Sequence, residues 1–164
     1  MSVTFPEPFY QLGISGTQLS QPGQAFYLQP YGLLDVLPQF YPGRNLPDVS
    51  FNADPQTGYV IYYTSSATGF GVLPNYGGTS YVDQQLNGVT ALLEQDSNNR
   101  IGFLNPTVYE LAQTGQAYSG PNPPLHPIKH GDNWFYSGGN GYNPGAGLGT
   151  LDVANFAAFL RNQH

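Results

Sequence analysis

The strongest constraint on this chain is an apolar period that begins directly after Gly77-Gly78-Thr79-Ser80. Val82, Leu86, Val89 and Leu93 fall at i, i+4, i+7 and i+11, with Leu92 widening the same face, which predicts an amphipathic helix over residues 81–95. Ser80 then lies at or beside the helix N-terminus, where unpaired backbone N–H groups and the positive end of the macrodipole favour developing negative charge. The paired glycines permit a sharp turn and leave room for another chain to approach. Such a place suits a nucleophile. The same residues also read as a simple helix start, with Thr79 or Ser80 as the cap and Asp83 complementing the dipole.

The rest of the chain is broken into short pieces. With 21 glycines and 15 prolines in 164 residues, turns and loops dominate, and a helical bundle is excluded. The length corresponds to one domain, residues 1–164, able to bury about two thirds of its extended surface. Residues 1–45 are loop-rich, with Phe26-Tyr27-Leu28 a short strand. Asn52 to Gly58 contains Asp54-Pro55 and forms a turn, in which Asp54 has a structural capping role. It feeds a strand over residues 59–64 that is too continuously apolar and β-branched to be half exposed. Residues 69–73 form its partner. Asn105-Pro106 is a cap-then-proline start for a short helix through residue 111, residues 114–147 are irregular, and a last helix begins near Thr150 or Asp152, with Val153, Phe156, Ala157 and Leu160 on one face.

Charge narrows the function classes. Charged residues make up 9% of the chain and the net charge is -6, which argues against nucleic acid or an anionic membrane as partner. No apolar run is long enough to cross a bilayer, and the start of the chain has no basic and apolar leader pattern. A fold with few ion pairs has little stability to lose when carboxylates protonate, so the composition suits an acidic, extracellular setting. The absence of cysteine is compatible with that setting.

Several separated segments then converge on one family. They are Phe5-Pro6-Glu7-Pro8; Leu46-Pro47-Asp48-Val49-Ser50 running into Asn52-Ala53-Asp54-Pro55; Gly77-Gly78-Thr79-Ser80 with Gln85-Leu86-Asn87-Gly88; Gly102-Phe103-Leu104-Asn105-Pro106; and Gly141-Tyr142-Asn143-Pro144 leading to Gly147-Leu148-Gly149-Thr150. In this order, over nearly all of residues 3–160, the chain resembles the C-terminal part of the sedolisins, serine-carboxyl peptidases with a subtilisin-like fold. The resemblance implies an α/β architecture: half of a mostly parallel sheet, a long helix after Ser80, a short C-terminal helix and extended loops. Half a sheet would leave apolar surface open to self-association or to the other half.

The family chemistry transfers only in part. In sedolisins the serine of the Gly-Thr-Ser motif attacks the scissile carbonyl of a polypeptide, a Glu is the general base, an Asp orients it, and another Asp helps hold the oxyanion. A carboxylate base suits acid pH, where an imidazole would be protonated. Only Ser80 matches a position here. The base and the oxyanion carboxylates are expected from an N-terminal half of the catalytic domain, so the isolated chain is expected to be inactive. Where most members have a proline behind the nucleophile, this chain has Gln84.

The family's calcium loop is also altered. Its counterpart here comprises the carbonyls of Ile128, Gly139 and Gly141 and the side chain of Asn143. Pro127 and Asn143 stand where the family has aspartates, so calcium binding is expected to be weak or absent, with Asp132 the nearby carboxylate able to substitute. His126 and His130 are spaced as a metal pair, but Pro127 opposes the helix that would align them. A triad of Ser80 with one of these histidines and an Asp is not excluded by spacing. Trp134, Phe135 and Tyr136 read as loop packing.

Overall fold

The computed structural model describes residues 1–28 and 31–162. The elements run β1 (Ala25–Leu28), β2 (Leu33–Val36), β3 (Tyr59–Ser65), β4 (Gly69–Tyr76), α1 (Thr79–Ser97), α2 (Leu104–Gln113), β5 (Leu125–His126), β6 (Thr150–Leu151) and α3 (Val153–Arg161). The helices and the principal hairpin lie where the sequence places them. The last helix starts as expected at Asp152, whose side chain accepts from the Asn155 N–H and so satisfies one of the unpaired donors of the first turn.

The core gathers one face from each helix. Leu93 of α1, Val108, Tyr109 and Leu111 of α2, and Phe156 of α3 are buried together with Leu125, Leu148 and Leu151. Val108 and Leu111 are i, i+3 neighbours, so one side of α2 is sealed. Each such side chain contributes about 1.5–3 kcal/mol on burial. Leu86 and Val89 pack partly against this core, as their period requires. Leu92, expected to widen that face, is instead 62% exposed, because nothing in the described chain covers its side of α1.

The expectation of a mostly parallel sheet is corrected. All three described sheets are two-stranded and antiparallel: β1 with β2, β3 with β4, and β5 with β6. Parallel pairing needs a strand on the far side of a crossover connection, and β4 leads through α1 to α2 rather than to a strand beside it. The apolar strand expected to be buried on both faces is corrected for the same reason. Val60 and Tyr62 of β3 and Phe70 of β4 are exposed, since a lone hairpin has no layer against its open face.

Short polar bonds splice the N-terminal third to the core. Gln11, fully buried, donates to the Asn45 carbonyl at 2.9 Å and accepts from the Asn45 N–H at 2.9 Å. Leu148 N–H donates to the Asp48 carbonyl at 2.8 Å, and Ser50 N–H to the Gly149 carbonyl at 2.9 Å. The segment at residues 48–50 is thereby fixed against the segment at 147–149, and residues 48–50 border the recess beside the start of α1.

Candidate active site at the start of the long helix

Backbone rather than side chains sets the position of Ser80. Gly78 is the N-cap of α1 at φ 105°, ψ 161°, a conformation essentially confined to glycine. Its N–H donates to the Ala53 carbonyl at 2.6 Å. A Cβ on Gly77 would lie 2.6 Å from that same carbonyl, so the two chain segments touch only because the side chain is missing. The opposing segment is itself braced. Asp54 accepts from Gln56 N–H at 2.9 Å, Asn52 accepts from Asp54 N–H at 3.2 Å, and the Asn52 amide donates to the Thr57 carbonyl at 2.7 Å. This is the capping role expected of Asp54. Tyr59 of β3 stacks on Tyr81 of α1 at 5.8 Å and 8°, tying the hairpin to the first turn of the helix.

The capping reading of the hydroxyls is not realised. No side chain caps α1, and the Ser80 side chain is exposed and makes no hydrogen bond among the described residues. It stands on a helix of 19 residues, beside N–H groups that have no intrahelical partner. An oxyanion formed next to it would meet donors and a favourable dipole. A base for its proton is lacking: no described carboxylate or imidazole accepts from it.

A recess of about 460 Å³ opens beside this helix start, lined by Thr79, Val82, Asp83 and Leu86 of α1 and by Asp48, Ser50, Phe51 and Asn105 among others. The Ser50 hydroxyl there is buried without a partner. At its edge lies a hub that sequence reading missed. The Asp48 carboxylate accepts from Arg44, from the Asn105 amide at 3.0 Å, from the Tyr109 hydroxyl at 2.9 Å and, more weakly, from the Gln11 amide at 3.4 Å. The i, i+4 spacing of Arg44 and Asp48 was the available signal. Asn105, expected to cap α2, spends its amide here instead, and Phe103 takes the N-cap position. Burial first, and the Asp48 charge second, raise the pKa of both the Tyr109 and the Tyr142 hydroxyls, so both stay neutral; Tyr109 donates to Asp48, while the Tyr142 hydroxyl is buried without a partner.

The residues that the resemblance assigns to calcium lie on two neighbouring turns. Residues 128–139 form a hairpin in which the Ile128 carbonyl accepts from Gly139 N–H at 2.9 Å and the Gly131 carbonyl from Gly138 N–H at 2.9 Å. The Asn143 side-chain oxygen accepts from Gly145 N–H at 3.2 Å and Ala146 N–H at 2.9 Å. The adjacent cavity, about 210 Å³, is lined by Ile128 and Asn143 but by neither Gly139 nor Gly141. Asp132 borders it with one oxygen accepting from Trp134 N–H at 3.0 Å.

The remaining candidates separate. His126 pairs with Asp152 at 3.4 Å, while His130 lines the cavity beside Asp132, and neither bonds to Ser80. The packing role read for the aromatic loop is corrected: Trp134 is 95% and Phe135 85% exposed. Asx turns from Asp132 and Asn133 hold a hairpin tip that points both rings outward.

Comparison with known proteins matches this arrangement. No family model matches the chain. Its fold aligns with that of a serine-carboxyl proteinase at a TM-score of 0.68 and 27% identity, covering 98% of this chain and 35% of the other. The chain is thus a relative of the serine-carboxyl peptidases and shares their subtilisin-like α/β fold over the part it spans. That solved structure is Pseudomonas sedolisin in complex with two molecules of pseudo-iodotyrostatin. In sequence, the chain is 35% identical over 128 residues to sedolisin of Pseudomonas sp. (strain 101), covering 74% of this chain and 19% of that protein. It is 34% identical over 114 residues to kumamolisin of Bacillus sp. (strain MN-32), covering 66% and 18%. The chain therefore spans about a fifth of the length of these relatives.

Proposed function

We propose that this chain is the serine-bearing part of a sedolisin-type endopeptidase, with Ser80 as nucleophile towards polypeptide substrates at acid pH in an extracellular setting. The observation that carries this reading is the exposed, unbonded Ser80 hydroxyl at the N-terminus of α1, held there by Gly77 and Gly78. A serine hydroxyl needs a base. In this proposal a Glu and an Asp from an N-terminal half of the catalytic domain supply the base and its orientation, and a further Asp completes the oxyanion site. The open face of the β3–β4 hairpin and the exposed side of α1 at Leu92 offer apolar surface for that half.

The test is reconstitution. The chain alone is expected to cleave no unfolded protein substrate at pH of about 3 to 5, whereas mixing it with a sedolisin-type N-terminal half yields cleavage that Ser80→Ala abolishes. Cleavage that survives Ser80→Ala would refute the nucleophile. A stable complex with no cleavage would favour the second reading, a non-catalytic module that keeps the fold. That reading is supported by the lack of any base bonded to Ser80 among the described residues.

A further inference from the structure

The loop that the family resemblance assigns to calcium is organised differently here, and we infer that Asn143 organises its turn at residues 143–147, so that this turn holds its shape without a divalent cation.

Asn143 is 6% exposed and uses nearly every polar atom within its own turn. Its N–H donates to the Gly147 carbonyl at 3.0 Å, and its carbonyl accepts from Ala146 N–H at 3.2 Å and Gly147 N–H at 2.7 Å. Its side-chain oxygen takes the Gly145 and Ala146 N–H groups. The backbone N–H groups of Gly145, Ala146 and Gly147 and the Gly147 carbonyl are thus fixed by one side chain and its own peptide.

The same geometry turns a cation away. For Asn143 to ligate a metal it must present its oxygen, and that oxygen is already committed to two N–H donors. Rotating the amide by half a turn would free the oxygen and set its NH2 against those donors, leaving both sides unsatisfied. The Nδ2 atom has no partner and, as a donor, repels a positive ion. Pro127 adds no side-chain oxygen, and Lys129 brings a positive charge next to Ile128. The turn is also well placed to be self-sufficient, since Gly147 and Leu148 lead directly into the bond between Leu148 N–H and the Asp48 carbonyl.

The experiment compares thermal unfolding of the chain in millimolar CaCl2 and in EDTA, together with terbium luminescence sensitised by the neighbouring Trp134 and Tyr136. The expected result is a Tm equal within about 1 °C in the two buffers and no terbium enhancement. A Tm lowered by EDTA by several degrees, or saturable terbium emission, would overturn the inference. Two variants divide its parts. Asn143→Ala is expected to lower Tm by about 4–8 °C and to open the turn at residues 143–147 to limited proteolysis in both buffers alike; an unchanged Tm would refute Asn143 as organiser. The double variant Pro127→Asp with Asn143→Asp is expected to gain a calcium-dependent rise in Tm. If it stays indifferent, the missing carboxylates are not what excludes the ion. The comparison in the unaltered chain decides metal independence even where neither variant folds, and it does not depend on Ser80.

Discussion

Replacing Asp48 with alanine removes the acceptor at which four side chains from three segments meet. Its carboxylate is 17% exposed and Arg44 is 21% exposed, so water recovers part of that ion pair and its loss counts for little. The Tyr109 hydroxyl and the Gln11 amide are fully buried. A hydrogen bond to a charged acceptor contributes about 1.5–3 kcal/mol, and a buried donor left without a partner costs a similar amount. Gln11 keeps a second acceptor, the Asn45 carbonyl, which limits the loss to roughly one strong bond from Tyr109, a weaker one from Asn105 and a discounted pair with Arg44. Together these give about 3 kcal/mol, or roughly a 9 °C fall in Tm for a chain of this size. Asp48→Asn keeps the shape but turns an NH2 towards donors, and is expected to cost about 2 kcal/mol. Tyr109→Phe removes the bond to Asp48 and the one accepted from Gln11 at 2.7 Å and is expected to cost about 2 kcal/mol. Thermal denaturation followed by circular dichroism measures all three. If Asp48→Ala shifts Tm by less than about 2 °C, or no more than Tyr109→Phe, the carboxylate is not a hub and the argument fails.

Three further outcomes follow from the geometry. Gly78→Ala meets no atom within 4 Å, so its cost is conformational alone, about 1–3 kcal/mol by chemical denaturation; a neutral result would mean the turn is not held at φ 105°. The Asn155 N–H, and then His126, hold the Asp152 carboxyl below its ordinary value of 3.8. Its contribution is therefore present above that pH and lost as pH falls through the lower folded value, so the stability gap to Asp152→Ala should narrow in acid melts and would contradict the cap if it widened. Burial pushes Tyr118 up to about 12 and raises Tyr109 and Tyr142 as well. Stability is full below the ordinary tyrosine pKa of about 10 and declines above it as the unfolded chain ionises first. Spectrophotometric titration should show these hydroxyls ionising together with unfolding, and early, reversible ionisation of all the tyrosines would sink the reasoning.

Local signals were legible where one element sufficed to carry them. The period from Val82 to Leu93 and the Asp152 start of α3 needed only a helix and a cap, and the Asp54 turn only its own residues. What failed depended on what covers a surface. Tyr62 and Leu92 read as buried because their patterns assume a layer that this chain does not provide. Asn105 read as a cap because its partner, Asp48, lies 57 residues away, and a single sequence carries no mark of that contact. Trp134 read as packing because aromatic residues are usually inside, while its outward pose rests on two Asx turns in Asp132-Asn133 that only geometry reveals. The family resemblance carried the site further than periodicity did, since Gly-Thr-Ser alone fits a cap as well as a nucleophile.

The path into α1 is drawn by main chain: two glycines, one carbonyl of Ala53 and a stacked tyrosine. The Ser80 side chain takes no part in it. The fold therefore draws no hydrogen bond from the hydroxyl at position 80, and selection for chemistry there is largely uncoupled from selection for stability. Such a position can lose its reactivity, or exchange oxygen for sulfur, without the scaffold registering the change, which makes it a free variable in the history of the chain.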